Sequence, residues 1–230
     1  MFDRNRFENR EQAGEMLAQH LSAYAGRTDA IVLALPRGGV PVGYVVAKHL
    51  QLPLDVFLVR KLGMPGHEEF AMGAISSGGT RFLQEDVVRS YGISERVIDT
   101  VAQGELLELE RREKLYRAGR PPLELAKRVV ILVDDGLATG STMKAAALAV
   151  RKANPAKIIV AVPVGAAESF EKLRSDVDDI ICLRTPDPFY AVGTWYVNFT
   201  QTSDDDVIRL LDDAAQGTKE REDKVSHYQV

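Results

Sequence analysis

Residues 129–142 read Val-Val-Ile-Leu-Val-Asp-Asp-Gly-Leu-Ala-Thr-Gly-Ser-Thr. Two adjacent carboxylates, Asp134 and Asp135, close a continuously apolar run. Ala138, Thr139, Gly140, Ser141 and Thr142 then open a helical pattern. Successive backbone N–H groups in a tight loop at a helix N-terminus form an anion site. Thr139, Ser141 and Thr142 add hydroxyl donors, and Gly140 lets a ligand approach the backbone. Such a loop suits one terminal phosphate. The carboxylates are acceptors, suited to vicinal hydroxyls or, through water, to a divalent cation. Phosphate at one end and a diol at the other describe a ribose 5-phosphate. An acidic strand end with a Ser/Thr cap is the plainer alternative. It leaves unexplained why two neighbouring charges sit beside a core strand, which is costly unless they are used.

Two further segments carry phosphate chemistry. Pro36, Arg37, Gly38 and Gly39 lie between a strand and a helix. The Gly-Gly pair permits an unusual backbone, and Arg37 offers a planar set of donors to phosphate oxygens. A simple turn reads the same segment equally well. Arg60 and Lys61 follow the next apolar run and lead into a Gly- and Pro-containing stretch up to Phe70. They read as a phosphate-binding pair or as a solvated basic strand end. His67 in that stretch suits a proton donor or a surface position. Glu68 and Glu69 would repel phosphate unless a metal intervened.

The elements that must hold these residues alternate. Residues 30–35, 54–59, 129–133, 157–164 and 178–183 read as strands, several of them continuously apolar as buried parallel strands are. Residues 9–24, 39–50, 94–118, 141–153, 168–174 and 204–215 read as helices, with Ser203 an N-cap for the last. Residues 71–76 and 80–83 flank Ser77-Gly-Gly79 as a hairpin, and 60–70 reads as a loop. Alternating strands and helices predict an α/β fold with a central, mostly parallel sheet flanked by helices. Ligands bind beyond the carboxyl ends of such strands, which is where all three segments fall.

The 129–142 string resembles the phosphoribosyl-pyrophosphate signature of type I phosphoribosyltransferases: four hydrophobic residues, two acids, two further residues, then a small residue with Thr-Gly-Ser/Thr-Thr. Every position matches. The resemblance implies that fold, with a small "hood" built here from residues 1–27 and 184–216 over a core at 28–183. Residues 217–230 are expected to form a flexible tail. It implies that Asp134 and Asp135 hold the ribose hydroxyls and, through water, Mg²⁺, and that residues 138–142 wrap the 5-phosphate. It makes Arg37, Gly38 and Gly39 the pyrophosphate loop, with a non-proline cis peptide suspected at Arg37–Gly38. Arg60 and Lys61 join them on pyrophosphate, at the base of a loop that closes over substrate. Arg37, Lys61, Asp134 and Asp135 become the catalytic set. Phe189, Trp195 and Tyr196, beside Tyr190, are candidates to stack on a base or to fill the hood's core. Residues 7–14, 35–41, 60–66 and 199–204 look like a poorly characterised subfamily of this group. One departure stands out: Ala138 occupies the place where enzymes for 6-oxopurines carry Asp.

The implied function is transfer of the 5-phosphoribosyl group between phosphoribosyl pyrophosphate and a nitrogenous base. The alternatives are a non-catalytic sensor of phosphoribosyl pyrophosphate or nucleotides, and a hydrolase or phosphorylase of phosphoribosyl compounds. Dinucleotide-binding and P-loop readings fail. No Gly-x-Gly-x-x-Gly follows the first strand, and no Gly-Lys-Ser/Thr occurs.

The whole chain is consistent with this. Its 230 residues, 45% hydrophobic and 27% charged, exclude disorder, collagen-like structure and a coiled coil. Lys and Arg number 29 against 33 Asp and Glu, a net charge of −4. That gives no global electrostatic case for nucleic acid or an anionic membrane. Cys182, the single cysteine, excludes an intrachain disulfide. With no secretory signal and no membrane-length apolar run, a cytoplasmic chain is expected. It is expected to bind small molecules and to form a homodimer, as this fold often does.

Overall fold

The computed structural model describes residues 6–76 and 79–227, with side chains described outside 67–70 and 220–227. Five parallel strands form the central sheet in the order β2-β1-β6-β7-β8. They are β1 (Ala30–Ala34), β2 (Leu54–Val56), β6 (Val129–Val133), β7 (Lys157–Val164) and β8 (Asp179–Arg184). The two innermost sequences, Ala30–Ala34 and Val129–Val133, are buried at every position. They pair in register from Ala30↔Val129 to Ala34↔Val133. Their side chains alternate between two cores, as the period of a strand requires. Val32, Ala34, Ile131 and Val133 join one core with α1 (Arg10–His20), α2 (Gly39–Leu50) and α7 (Asp204–His227). Ile31, Leu33, Val130 and Leu132 join the other with α5 (Ser141–Lys152) and α6 (Ala167–Leu173).

A second sheet, β3-β4-β5, is antiparallel: β3 (Val59–Met64), β4 (His67–Ser76) and β5 (Arg81–Leu83). α3 (Glu85–Ser90) and the 23-residue α4 (Glu95–Arg117) follow it. Two expectations change here. The strand expected at 54–59 is two strands, one in each sheet. The loop expected at 60–70 is largely a hairpin. Its register shifts at Leu62/Gly63 and Gly63/Met64 break the alternation that marks a strand. Leu62 and Met64 are nonetheless buried. The strands expected at 71–76 and 80–83 pair antiparallel as expected, with Ala74 opposite Phe82, while residues 77 and 78 between them lie outside the described residues.

The segment before α1 meets the segment before α7. Phe7 bridges Tyr196, donating its N–H to the Trp195 carbonyl at 2.8 Å and accepting from the Val197 N–H at 2.8 Å. The last helix starts at the expected cap, where the Asp206 N–H donates to Ser203 Oγ at 3.1 Å. It does not stop near residue 215, however: the helix runs to His227.

Candidate active site

Two strand ends create the site. After β1 the chain turns through Pro36–Gly38 into α2, and after β6 it runs through residues 134–140 into α5. A non-proline cis peptide does occur in the first turn, but at Pro36–Arg37, one residue before the expected bond. The two loops touch. A Cβ on Gly38 would lie 2.1 Å from Asp135 Oδ2, and one on Gly39 would lie 2.7 Å from the Val133 carbonyl. Only hydrogen fits at either position, so the two glycines are the contact surface between the loops.

The two acids lie side by side. The Asp135 N–H donates to Asp134 Oδ1 at 2.8 Å. Burial, and then the charge of Asp135, hold the Asp134 carboxyl well above the ordinary carboxylate range. Burial also raises Asp135, but there the Arg10 guanidinium pulls the other way. Asp134 is thus an acid in search of a positive or hydrogen-donating neighbour. Among the described residues, no group of three or more His, Cys, Asp or Glu is placed to hold a metal ion. The oxygen donors present are the two carboxylates, the donor type that a divalent cation such as Mg²⁺ takes alongside water.

The loop from Ala138 to Thr142 is open at its mouth. Gly140, at φ 74°, is the N-cap of α5 and has no side chain to occupy the first turn's N–H groups. Thr139 Oγ1 donates to Ser141 Oγ at 3.2 Å and accepts from the Ser141 N–H at 3.4 Å. Ser169 Oγ donates to the Ala138 carbonyl and braces the loop from behind. Thr139, Gly140 and Ser141 line a cleft of about 620 Å³ together with Lys61, Lys144 and Lys172. Thr142 lines a separate small pocket with Pro36 and Arg60. The three sequence segments therefore converge, with Lys61 and Arg60 on different sides of the 138–142 loop. Both arginines are engaged: Arg60 Nε meets Glu105 Oε2 at 2.6 Å, and Arg37 Nη1 lies 3.6 Å from Asp204 Oδ1. His67, Glu68 and Glu69 have side chains outside the described set.

The aromatic candidates separate. Tyr196 is 1% exposed. It packs on Phe7 and Phe199 at ring-centroid distances of 5.4 and 5.0 Å, and its hydroxyl donates to the Asp135 carbonyl at 2.6 Å. It is a support beneath the acid pair, not a surface for a base, because its ring is already covered on both sides. Phe189 and Trp195 are half-buried in the same cluster. Tyr190 is 80% exposed.

Residues 5–205 match the model of the phosphoribosyl transferase domain family. The chain belongs to that family. This phosphoribosyl transferase domain is 47% identical over 208 residues to a protein of Mycobacterium tuberculosis named "Putative phosphoribosyl transferase", found in two strains. The match covers 90% of this chain and 47% of that protein, so the domain spans about half the length of the curated relatives it matches. It also superposes on the crystal structure of TT1426 from Thermus thermophilus with a TM-score of 0.82 and 40% identity, covering 90% of this chain and 97% of that one. The central parallel sheet flanked by helices is the type I phosphoribosyltransferase fold. Among the described residues no helix is long and apolar enough to cross a membrane.

Sequence reasoning missed Arg10 as a member of the site. Its Nε donates to Asp135 Oδ2 at 2.9 Å, and Nη2 lies 2.8 Å from the same oxygen. The partners are 125 positions apart. No motif spacing encodes such a pair. The one available signal was a basic residue in a segment that resembles the subfamily.

Proposed function

We propose that the chain transfers the 5-phosphoribosyl group from phosphoribosyl pyrophosphate to a nitrogenous base, releasing pyrophosphate. The observation that carries this reading is the contact of Gly38 and Gly39 with Asp135 and Asp134 beside the open N-terminus of α5. One site then offers sugar acceptors and phosphate donors side by side. In the reaction the bond from C1 of the ribose to the pyrophosphate oxygen breaks. A bond from C1 to the base nitrogen forms, and the proton of that nitrogen leaves to solvent.

Residues 138–142 hold the 5-phosphate through N–H and hydroxyl donors. Asp134 and Asp135 accept hydrogen bonds from the ribose hydroxyls and face the positive charge that develops on the sugar. Arg37, Arg60 and Lys61 stabilise the leaving pyrophosphate, after Arg37 and Arg60 exchange their carboxylate partners for phosphate oxygens. Mg²⁺ bound near the acid pair would supply further charge neutralisation for the leaving group. Phe189 and Trp195 are the remaining candidates for contact with the base.

Calorimetry with phosphoribosyl pyrophosphate and Mg²⁺ tests the reading. The wild type should bind, and the double variant Asp134→Asn/Asp135→Asn should show no heat of binding. Wild-type affinity in the double variant would sink the assignment. Pyrophosphate release across a panel of bases separates a transferase from a sensor, which binds without releasing it.

A further inference from the structure

We infer that Arg10 is a positioning residue of the acid pair, fixing the Asp135 carboxylate against the Gly38 turn so that both acids meet a ribose in one geometry. The inference deepens the reading of the site given above and rests on it.

Arg10 is the first residue of α1, directly after the N-cap Asn9, whose side chain accepts the Gln12 N–H at 2.9 Å. A cation at a helix N-terminus is unfavourable for the helix itself. Helix stability therefore does not account for an arginine here. Its surroundings do. Two of its nitrogens converge on Asp135 Oδ2, and no described residue donates to Oδ1, which is left for a ligand hydroxyl. Nη1 donates to the Thr200 carbonyl at 2.8 Å, and the guanidinium lies 3.9 Å from the centre of the Phe199 ring. The side chains of Arg10 and Asp135 are 11% and 14% exposed. The same Oδ2 is the Asp135 atom nearest Gly38, where an added Cβ would lie 2.1 Å from it. Oδ2 is thus held where the hood meets the pyrophosphate loop, and Oδ1 stays turned away from both contacts. A planar guanidinium with fixed donors suits this role, and a lysine ammonium does not reproduce it.

The test uses ribose 5-phosphate and 2-deoxyribose 5-phosphate, titrated with Mg²⁺ into the wild type, Arg10→Met, Arg10→Lys, Asp135→Asn and Arg10→Met/Asp135→Asn. The wild type should prefer the ribose compound. Arg10→Met should weaken ribose 5-phosphate by about tenfold, the scale of a lost charged hydrogen bond. It should also bring the ribose-to-deoxyribose ratio towards that of Asp135→Asn. Adding Arg10→Met to Asp135→Asn should cost no further affinity, since the two act as one unit. Should Arg10→Met unfold at the assay temperature, Arg10→Lys carries the test, with a ratio lower by roughly threefold or more. A ratio unchanged in the folded Arg10 variants, or additive losses in the double variant, overturns the inference and leaves Arg10 a tie between α1 and the hood. A wild type that binds neither sugar, or both equally, overturns the reading of the site itself.

Discussion

Asp134 carries a carboxylate that the protein alone compensates poorly. Among the described residues its one hydrogen-bond donor is the Asp135 N–H, and the adjacent Asp135 charge works against it. A carboxyl whose pKa rises on folding supports the folded state while protonated. That support is complete below the ordinary carboxyl pKa and is lost as pH rises through the raised value. Ligand-free Asp134→Asn should therefore melt higher than wild type at pH 8, by about 2–4 °C, which corresponds to about 1 kcal/mol for a chain of this size. The advantage should shrink towards pH 4, where the wild-type acid becomes protonated. Equal melting temperatures at pH 8 would mean that the pair is already compensated. The same variant should bind phosphoribosyl pyrophosphate less well, so stability and function separate at one residue. Cys182 is a contrast: burial pushes its thiol up to about 11, and no such tension with a ligand site attends it.

Local sequence spoke clearly wherever an element's own pattern decided its structure. Ala30–Ala34 and Val129–Val133 are legible because strands covered on both faces must be apolar throughout. The loop after β6 is legible because its acids, glycines and hydroxyls follow one another in the chain. The β3–β4 hairpin is not, because Gly63, Pro65, Gly66 and five charged or ionisable residues (Arg60, Lys61, His67, Glu68 and Glu69) imitate a loop, and a register shift hides the alternation. Arg10 and the buried place of Tyr196 are illegible for another reason: each depends on partners far along the chain. α7 combines the two cases. Its start at Ser203 is written locally, whereas Gly217 suggests an end that the structure does not make. Its apolar face is part of the main core: Val207 and Leu211 are fully buried, with α2 and α4 as neighbours. Leu211→Ala should then destabilise the chain by about 2–4 kcal/mol in urea unfolding. A loss below about 0.5 kcal/mol, the range of surface substitutions, would show that α7 is an appendage.

Across the whole molecule, the N-terminal segment and the segment before α7 close on the one site. Phe7 and Arg10 come from the N-terminal segment, and Tyr196, Phe199 and Thr200 come from the segment before α7. Through Arg10 and the Tyr196 hydroxyl, both reach Asp135. A ligand that engages Asp135 is thereby coupled to the pairing of Phe7 with residues 195–197, more than 180 positions away. Binding at one hundred times the dissociation constant adds about 2.7 kcal/mol to the stability of the folded state. Local openings that break the site must lose that contribution too. With phosphoribosyl pyrophosphate and Mg²⁺ present, hydrogen exchange should slow at residues 134–142. It should slow in parallel at the amides of Phe7, Val197 and Asn198, which donate to or bond across this junction. Amides on the far side of the sheet, such as those of Lys127 and Ala156, should change only through global unfolding. In Arg10→Met the loop at 134–142 should still respond to ligand, while the protection at Phe7 and Val197 falls away. Full protection of both ends in that variant would mean that Tyr196 alone couples the hood to the site.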